Sequence, residues 1–213
     1  MCKGKFITLE GAEGVGKSTQ AQSLCAWLQA QGIEVIYTRE PGGTPCAERL
    51  RALLLSQHEG EDWLPLSELL LMFSARHQHL EHKIIPALKQ GTWVVCDRFT
   101  DATYAYQGGG RGLDQAVIKQ LETWVHAHQQ PDLTLWLDLA PEIAHQRLQT
   151  RGTSDRFERQ DQTFFARVRA IYAQRAEMFP ERIHRIAAQG TQAEVAARIQ
   201  ACLRPYLLDE EAI

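Results

Sequence analysis

Along the chain, short apolar runs of four or five residues alternate with longer stretches in which apolar positions recur every three or four residues. Phe6-Ile7-Thr8-Leu9, Val35-Ile36-Tyr37-Thr38, Trp93-Val94-Val95-Cys96, Leu133-Thr134-Leu135-Trp136-Leu137 and the weaker Ile183-His184-Arg185-Ile186 read as strands. Helical spacing predicts helices over 17–31, with Leu24, Trp27 and Leu28 on one face and Gly32 as the stop, and over 46–55 and 66–89. Pro86 is expected to break or kink the last of these. Further helices are expected over 114–128, from Pro141 to about 152, from the end of a charged segment at 153–162 to Phe179, and over 192–203. Gln107-Gly108-Gly109-Gly110-Arg111 reads as a flexible segment. Strand, helix and strand at this spacing form βαβ units, so the expected fold is α/β, with five parallel strands flanked by helices in three layers. No repeat, linker or low-complexity tract interrupts it, and 1–213 reads as one domain.

Composition narrows the partners. A formal net charge of -3 gives no general affinity for nucleic acid or anionic membranes, so any basic site must be local. The five cysteines are scattered without a Cys-x-x-Cys pair, and Cys25 and Cys96 fall within apolar patterns, as buried small hydrophobes do. No signal-like segment precedes the first strand and no apolar run reaches membrane-spanning length, so a reduced, cytoplasmic setting is expected.

The chemistry starts directly after the first strand. Gly11-Ala12-Glu13-Gly14-Val15-Gly16-Lys17-Ser18, with Thr19 after it, matches the phosphate-binding pattern G-x-x-x-x-G-K-[ST] in full. Its glycines let backbone N–H groups turn around phosphate oxygens at a helix N-terminus. Lys17 is expected at the β- and γ-phosphates, and the Ser18 hydroxyl on Mg²⁺. A guanine-reading Asn-Lys-x-Asp motif is excluded, because the chain contains no asparagine. Asp97-Arg98 ends the third strand, on the rim where parallel sheets bind ligands; Asp97 can hold Mg²⁺ through water, and Arg98 calls for an anionic partner. Arg39 ends the second strand on the same rim, and with Arg98 could clamp an acceptor phosphate. Arg147, Arg151, Arg156 and Arg159 suit a basic lid over about 147–162.

Residues 6–19, the Arg39-Glu40-Pro41-Gly42-Gly43-Thr44 loop, 97–111, Pro131-Asp132-Leu133-Thr134-Leu135-Trp136-Leu137-Asp138 and the lid together resemble the bacterial thymidylate kinases, over nearly the whole chain. The resemblance implies an ATP- and Mg²⁺-dependent homodimer that phosphorylates dTMP to dTDP by in-line transfer. It implies Glu13 near the acceptor's sugar 3′-hydroxyl and phosphate, Arg39 and Arg98 on that phosphate, and Arg76 on the thymine ring. Thr103 and Gln107 match positions reading the base edge, and Tyr106 an aromatic crowding the ribose 2′ position. The thymine-stacking phenylalanine of the family stands four residues before the arginine; here Phe73 stands three before and Met72 holds the strict position. An Asp-Ala often found near the donor's adenine is here Ala187-Ala188. Gly14 follows Glu13, so the P-loop carries no arginine; the resemblance then assigns the catalytic arginine to Arg151 and Arg156 and adenine stacking to Arg147.

Two other readings stay open. One is a kinase of nucleosides, for which two arginines on the acceptor rim would be wasted; the other is a nucleotide-dependent switch that acts through a partner. His77, His79 and His82 are expected on a polar helix surface rather than on a metal. Trp93, Trp124 and Trp136 are expected in the core, and Asp209, Glu210 and Glu211 in a frayed terminus.

Overall fold

The computed structural model describes residues 4–56, 61–149 and 160–208. Five strands, β1 (Phe6–Glu10), β2 (Val35–Arg39), β3 (Trp93–Asp97), β4 (Leu133–Asp138) and β5 (Ile183–Ala187), form one parallel sheet in the order β2-β3-β1-β4-β5. β1, β3 and β4 are buried along their whole length, which is why they read as unbroken apolar runs. The order puts β1 in the middle, and the chain leaves its C-terminal end into the glycine-rich loop and α1 (Lys17–Ala30).

α1 and α9 (Gln192–Leu208) cover one face of the sheet, where Leu24, Leu28, Ile199 and Leu203 meet Ile7, Val95 and Leu135. On the other face Leu80, Ile84 and Leu88 pack on Phe6, Val94 and Phe99. Pro86 disrupts less than its pattern suggested. The stretch is α3 (Pro65–His79), a π-helical turn over Leu80–Ile84, then α4 (Ile85–Lys89), so the chain stays helical throughout and Pro86, which lacks an N–H, directly follows the widened turn. α2 (Pro45–Leu55) starts on a Thr44 cap, whose Oγ1 accepts from the Ala47 N–H, followed by Pro45.

The glycine-rich run is a correction. After α5 (Thr100–Thr103) the chain makes a π-helical turn over Tyr104–Gly110, and Gly108 and Gly110 are buried. A Cβ on Gly110 would strike the Phe164 ring, and one on Gly109 would come within 2.5 Å of Ile171, both on α8 (Gln162–Met178). Close packing explains these glycines, and flexibility does not. Arg167 of α8 donates to the Gly109 and Gly110 carbonyls at 3.2 and 2.9 Å. α6 (Gln115–His126) and α7 (Pro141–Gln149) complete the described helices. Trp124 lies on α6 and is 71% exposed, so it is not core; Trp93 and Trp136 are.

Candidate active site

The loop after β1 fits as a phosphate cradle. Gly11 has φ +135° and a Cβ there would press on the Leu137 carbonyl at 2.5 Å, so glycine is required on both counts. Gly16, in the left-handed region, turns the chain into α1. Lys17 Nζ is buried and donates to the Gly11 and Ala12 carbonyls at 3.1 and 2.8 Å. Burial and then the nearby Arg98 charge hold its pKa below that of an ordinary lysine. Ser18 Oγ donates to Asp97 Oδ2 at 2.9 Å, so the hydroxyl and the carboxylate at the end of β3 meet beside the loop.

Arg98 is the hub. Its φ of +71° is unusual for a side chain with a Cβ and costs about 1–3 kcal/mol. The surroundings fix it there. Its N–H donates to the Leu9 carbonyl at 2.9 Å, and the next N–H, of Phe99, donates to Glu10 Oε1 at 2.7 Å. The guanidinium is aimed back across the loop, donating to Gly11 O, Glu13 Oε1 and the Tyr106 hydroxyl, with Tyr106 stacked beneath it at 4.7 Å. Burial pushes the Glu13 carboxyl up, but Arg98 and then Lys17 more than offset it and leave its pKa below the usual range. The two groups therefore stand as a charged pair.

Beside this hub opens a cleft of about 560 Å³ including its mouth, lined by Glu13, Glu40, Arg51, Met72, Arg76, Arg98, Tyr106 and Gln107 among others. Its far end is a buried polar network. Arg76 Nε donates to Glu40 Oε2 at 2.7 Å and Nη2 to Thr103 Oγ1 at 3.0 Å, while Nη1 is buried with no hydrogen-bond partner among the described residues. Gln107 donates its Nε2 to Glu68 at 2.7 Å. A buried donor left unpaired costs about 1–3 kcal/mol, and a ligand carbonyl would remove that cost.

The expected site residues differ in whether they reach the cleft. Arg98, Arg76, Thr103, Tyr106, Gln107 and Glu13 all line the cleft. Arg39 does not: it is exposed and paired with Glu48 at 3.1 Å. Arg51, which sequence reasoning missed, takes the rim position, its Nη1 donating to the Pro41 carbonyl at 2.9 Å. Its place on the helix that directly follows the Arg39–Thr44 loop was the available signal. Phe73 does not line the cleft either, and Met72 does. Phe73 is buried against His126, and its ring, with that of Phe99, flanks the Arg76 guanidinium at 4.9 and 5.0 Å. It supports the arginine from the core side. His79 also differs from expectation: fully buried, it joins Glu40 at 3.1 Å and Thr38 at 2.6 Å, so it braces the network. Glu40, missed as well, is the acid that holds both. Arg147 lies on α7, while Arg151, Arg156 and Arg159 lie outside the described residues.

A phosphate cradle at the C-terminal edge of a parallel sheet, next to a cleft with its own arginines and base-sized polar end, defines a P-loop kinase with a phosphorylated small-molecule acceptor. A family model described as thymidylate kinase matches residues 9–199. The chain is 55% identical over 208 residues to the thymidylate kinase of Chromohalobacter salexigens, covering 97% of this chain and 98% of that one. It is 56% identical over 187 residues to that of Alkalilimnicola ehrlichii, covering 87% and 86%. The crystal structure of thymidylate kinase from Ehrlichia chaffeensis superposes with a TM-score of 0.76 at 35% identity, covering 95% of this chain and 99% of that one. The chain belongs to the thymidylate kinase family, the nucleoside monophosphate kinases that use ATP to phosphorylate dTMP to dTDP.

Proposed function

We propose that this chain carries out that reaction with the base of dTMP at the Arg76–Gln107 end of the cleft and its phosphate between Arg98, Arg51 and the P-loop. The observation that supports this most is the Arg76 and Gln107 pair. Arg76 offers an unpaired donor, and Gln107, with its nitrogen taken by Glu68, offers an oxygen. A donor beside an acceptor complements the O4 and N3–H of a thymine ring. Tyr106, held under Arg98 and lining the cleft, is where the family resemblance puts an aromatic against the ribose 2′ position.

Gly11, Ala12, Glu13, Gly14, Val15, Gly16, Lys17, Ser18 and Thr19 receive the ATP phosphates, and Arg147 with Ala187-Ala188 borders the adenine. The hydroxyl and carboxylate oxygens of Ser18 and Asp97, 2.9 Å apart, are the hard donors that suit Mg²⁺. When bound, Mg²⁺ supplies charge neutralisation at the donor phosphates. The protein's part is positional and electrostatic. Arg98 exchanges its Glu13 contact for the acceptor phosphate, bringing that oxygen in line with the donor, and Lys17 turns from the Gly11 and Ala12 carbonyls to the transferring group. Arg151 and Arg156 of the lid complete the positive shell and exclude water. No general base is required, because the attacking phosphate oxygen is already ionised.

The chain acts as a homodimer through α3 and α6, which pack together and leave Leu66, Leu70, Val117 and Trp124 exposed, with Leu64 (71% exposed) just before α3. The four described cysteines are unpaired and no described helix is long and apolar enough to cross a membrane, in keeping with a cytoplasmic enzyme. A coupled ADP-release assay across nucleosides and their monophosphates is the test. Turnover is expected with dTMP; turnover with nucleosides alone, or none, would overturn the reading.

A further inference from the structure

Glu68 stands on α3 behind the cleft wall and is fully buried. Its Oε1 accepts the Gln107 Nε2–H bond at 2.7 Å, and its Oε2 lies 3.6 Å from Arg111 Nη2. A carboxylate only accepts, so it captures the amide nitrogen of Gln107 and never the amide oxygen. Among the described residues the Gln107 side chain makes no other hydrogen bond, so nothing else distinguishes the two amide orientations. The carboxylate thus turns the Gln107 oxygen toward the cleft that Gln107 lines.

We propose that Glu68 is a positioning residue that sets base specificity by fixing the Gln107 amide as an acceptor. This rests on the reading of the acceptor as a pyrimidine nucleotide whose base meets Arg76 and Gln107. An imide base, thymine or uracil, presents N3–H and a carbonyl at that edge; cytosine presents an N3 lone pair and an amino group. With Glu68 accepting from the Gln107 amide nitrogen, cytosine meets oxygen against lone pair and guanidinium against amine. Rejection then comes from polar groups left unpaired, which discriminates more strongly than shape does.

Glu68→Gln reverses the arrangement at constant volume. The Arg111 guanidinium can only donate, so it draws the oxygen of the substituted amide and leaves that amide's nitrogen facing Gln107. Gln107 must then offer its oxygen to that nitrogen and its own nitrogen to the cleft. The measurement is kcat/KM for dTMP, dUMP and dCMP in the full-length wild type and variant. The expected result is a fall in the dTMP:dCMP ratio of about 10- to 100-fold, carried by KM, with dTMP and dUMP falling together because they share the imide edge. In a Gln107→Ala background the same substitution should leave the ratio unchanged. A wild type inert toward dTMP overturns the substrate reading itself. A wild type active on dTMP, with a ratio that Glu68→Gln does not move or moves equally without Gln107, overturns the role of Glu68 alone. Should Glu68→Gln fail to fold, Glu68→Met frees the amide and should also lower the ratio; an unchanged ratio there is equally fatal.

Discussion

The two ends of the cleft are built on opposite plans. At the proposed base end Thr38, His79, Glu40, Arg76 and Thr103 form one buried hydrogen-bonded set and Glu68 with Gln107 another, so the proposed recognition groups are already aimed. At the proposed phosphate end the cations are held by internal partners that a bound substrate would displace: Lys17 by two loop carbonyls, Arg98 by Glu13. Burial pushes the Glu40 carboxyl up, but the Arg76 charge and then the His79 hydrogen bond more than offset it and leave its pKa below the usual range, so its charge stays fixed. On the proposed reading, recognition is preorganised, whereas the charges that serve transfer are parked against internal partners until a phosphate arrives.

Removing a parked charge should do the most damage. Arg98→Ala is expected to cost about 10²- to 10³-fold in turnover with dTMP, with ATP binding little changed; steady-state kinetics against each substrate separate the two. Unchanged acceptor kinetics would show the phosphate lies elsewhere. The next test sets two rim arginines against each other. Arg51→Ala should raise the KM for dTMP about tenfold or more, whereas Arg39→Ala, which breaks only an exposed pair with Glu48, should change it less than about twofold. The reverse ranking would restore Arg39 to the phosphate.

The smallest effect concerns the residue beneath both ends. Glu10 is fully buried at the end of β1, accepting from Phe99 N–H and the Tyr172 hydroxyl, and burial followed by Asp101 raises its pKa from 4.5 to about 8. Its folded pKa lies above its unfolded one, so its contribution to stability is complete below pH 4.5 and is lost as pH rises toward 8. Glu10→Gln should flatten the decline in chemical-denaturation stability over that window. A slope identical to wild type would mean the carboxyl is charged at neutral pH.

The parts legible in sequence were those set by local pattern. The five parallel strands followed from apolar run length, and the cradle from the spacing of Gly11, Gly16 and Lys17, because backbone geometry alone dictates both. Arg98 and Arg76 could be picked out with the help of family resemblance. What escaped was decided by contacts between distant segments. Helical periodicity puts Phe73 and Met72 one residue apart, about 100° around the axis, and cannot say which faces the ligand. Arg39 ends a strand on the correct rim, but Glu48 of the following helix captures it. Glu68 and His79 carry no motif and Glu40 no role within its loop motif, and each gains meaning only from a partner 36 to 41 positions away. Trp124 shows the reverse: an apolar residue in a helical pattern that this chain alone does not bury.

Gly109 and Gly110 carry a consequence for how faults spread in this molecule. Their missing side chains form the recess that receives Ile171 and Phe164, and their carbonyls are tied to Arg167. Tyr106 and Gln107 belong to the same π-helical turn, and α8 is the first described helix after the segment proposed as a lid. A lesion at either glycine would leave its own turn free to form and dislodge a neighbour instead. Its symptom would surface as a misplaced α8 and a poorly seated sugar and base, some distance along the chain from the altered codon.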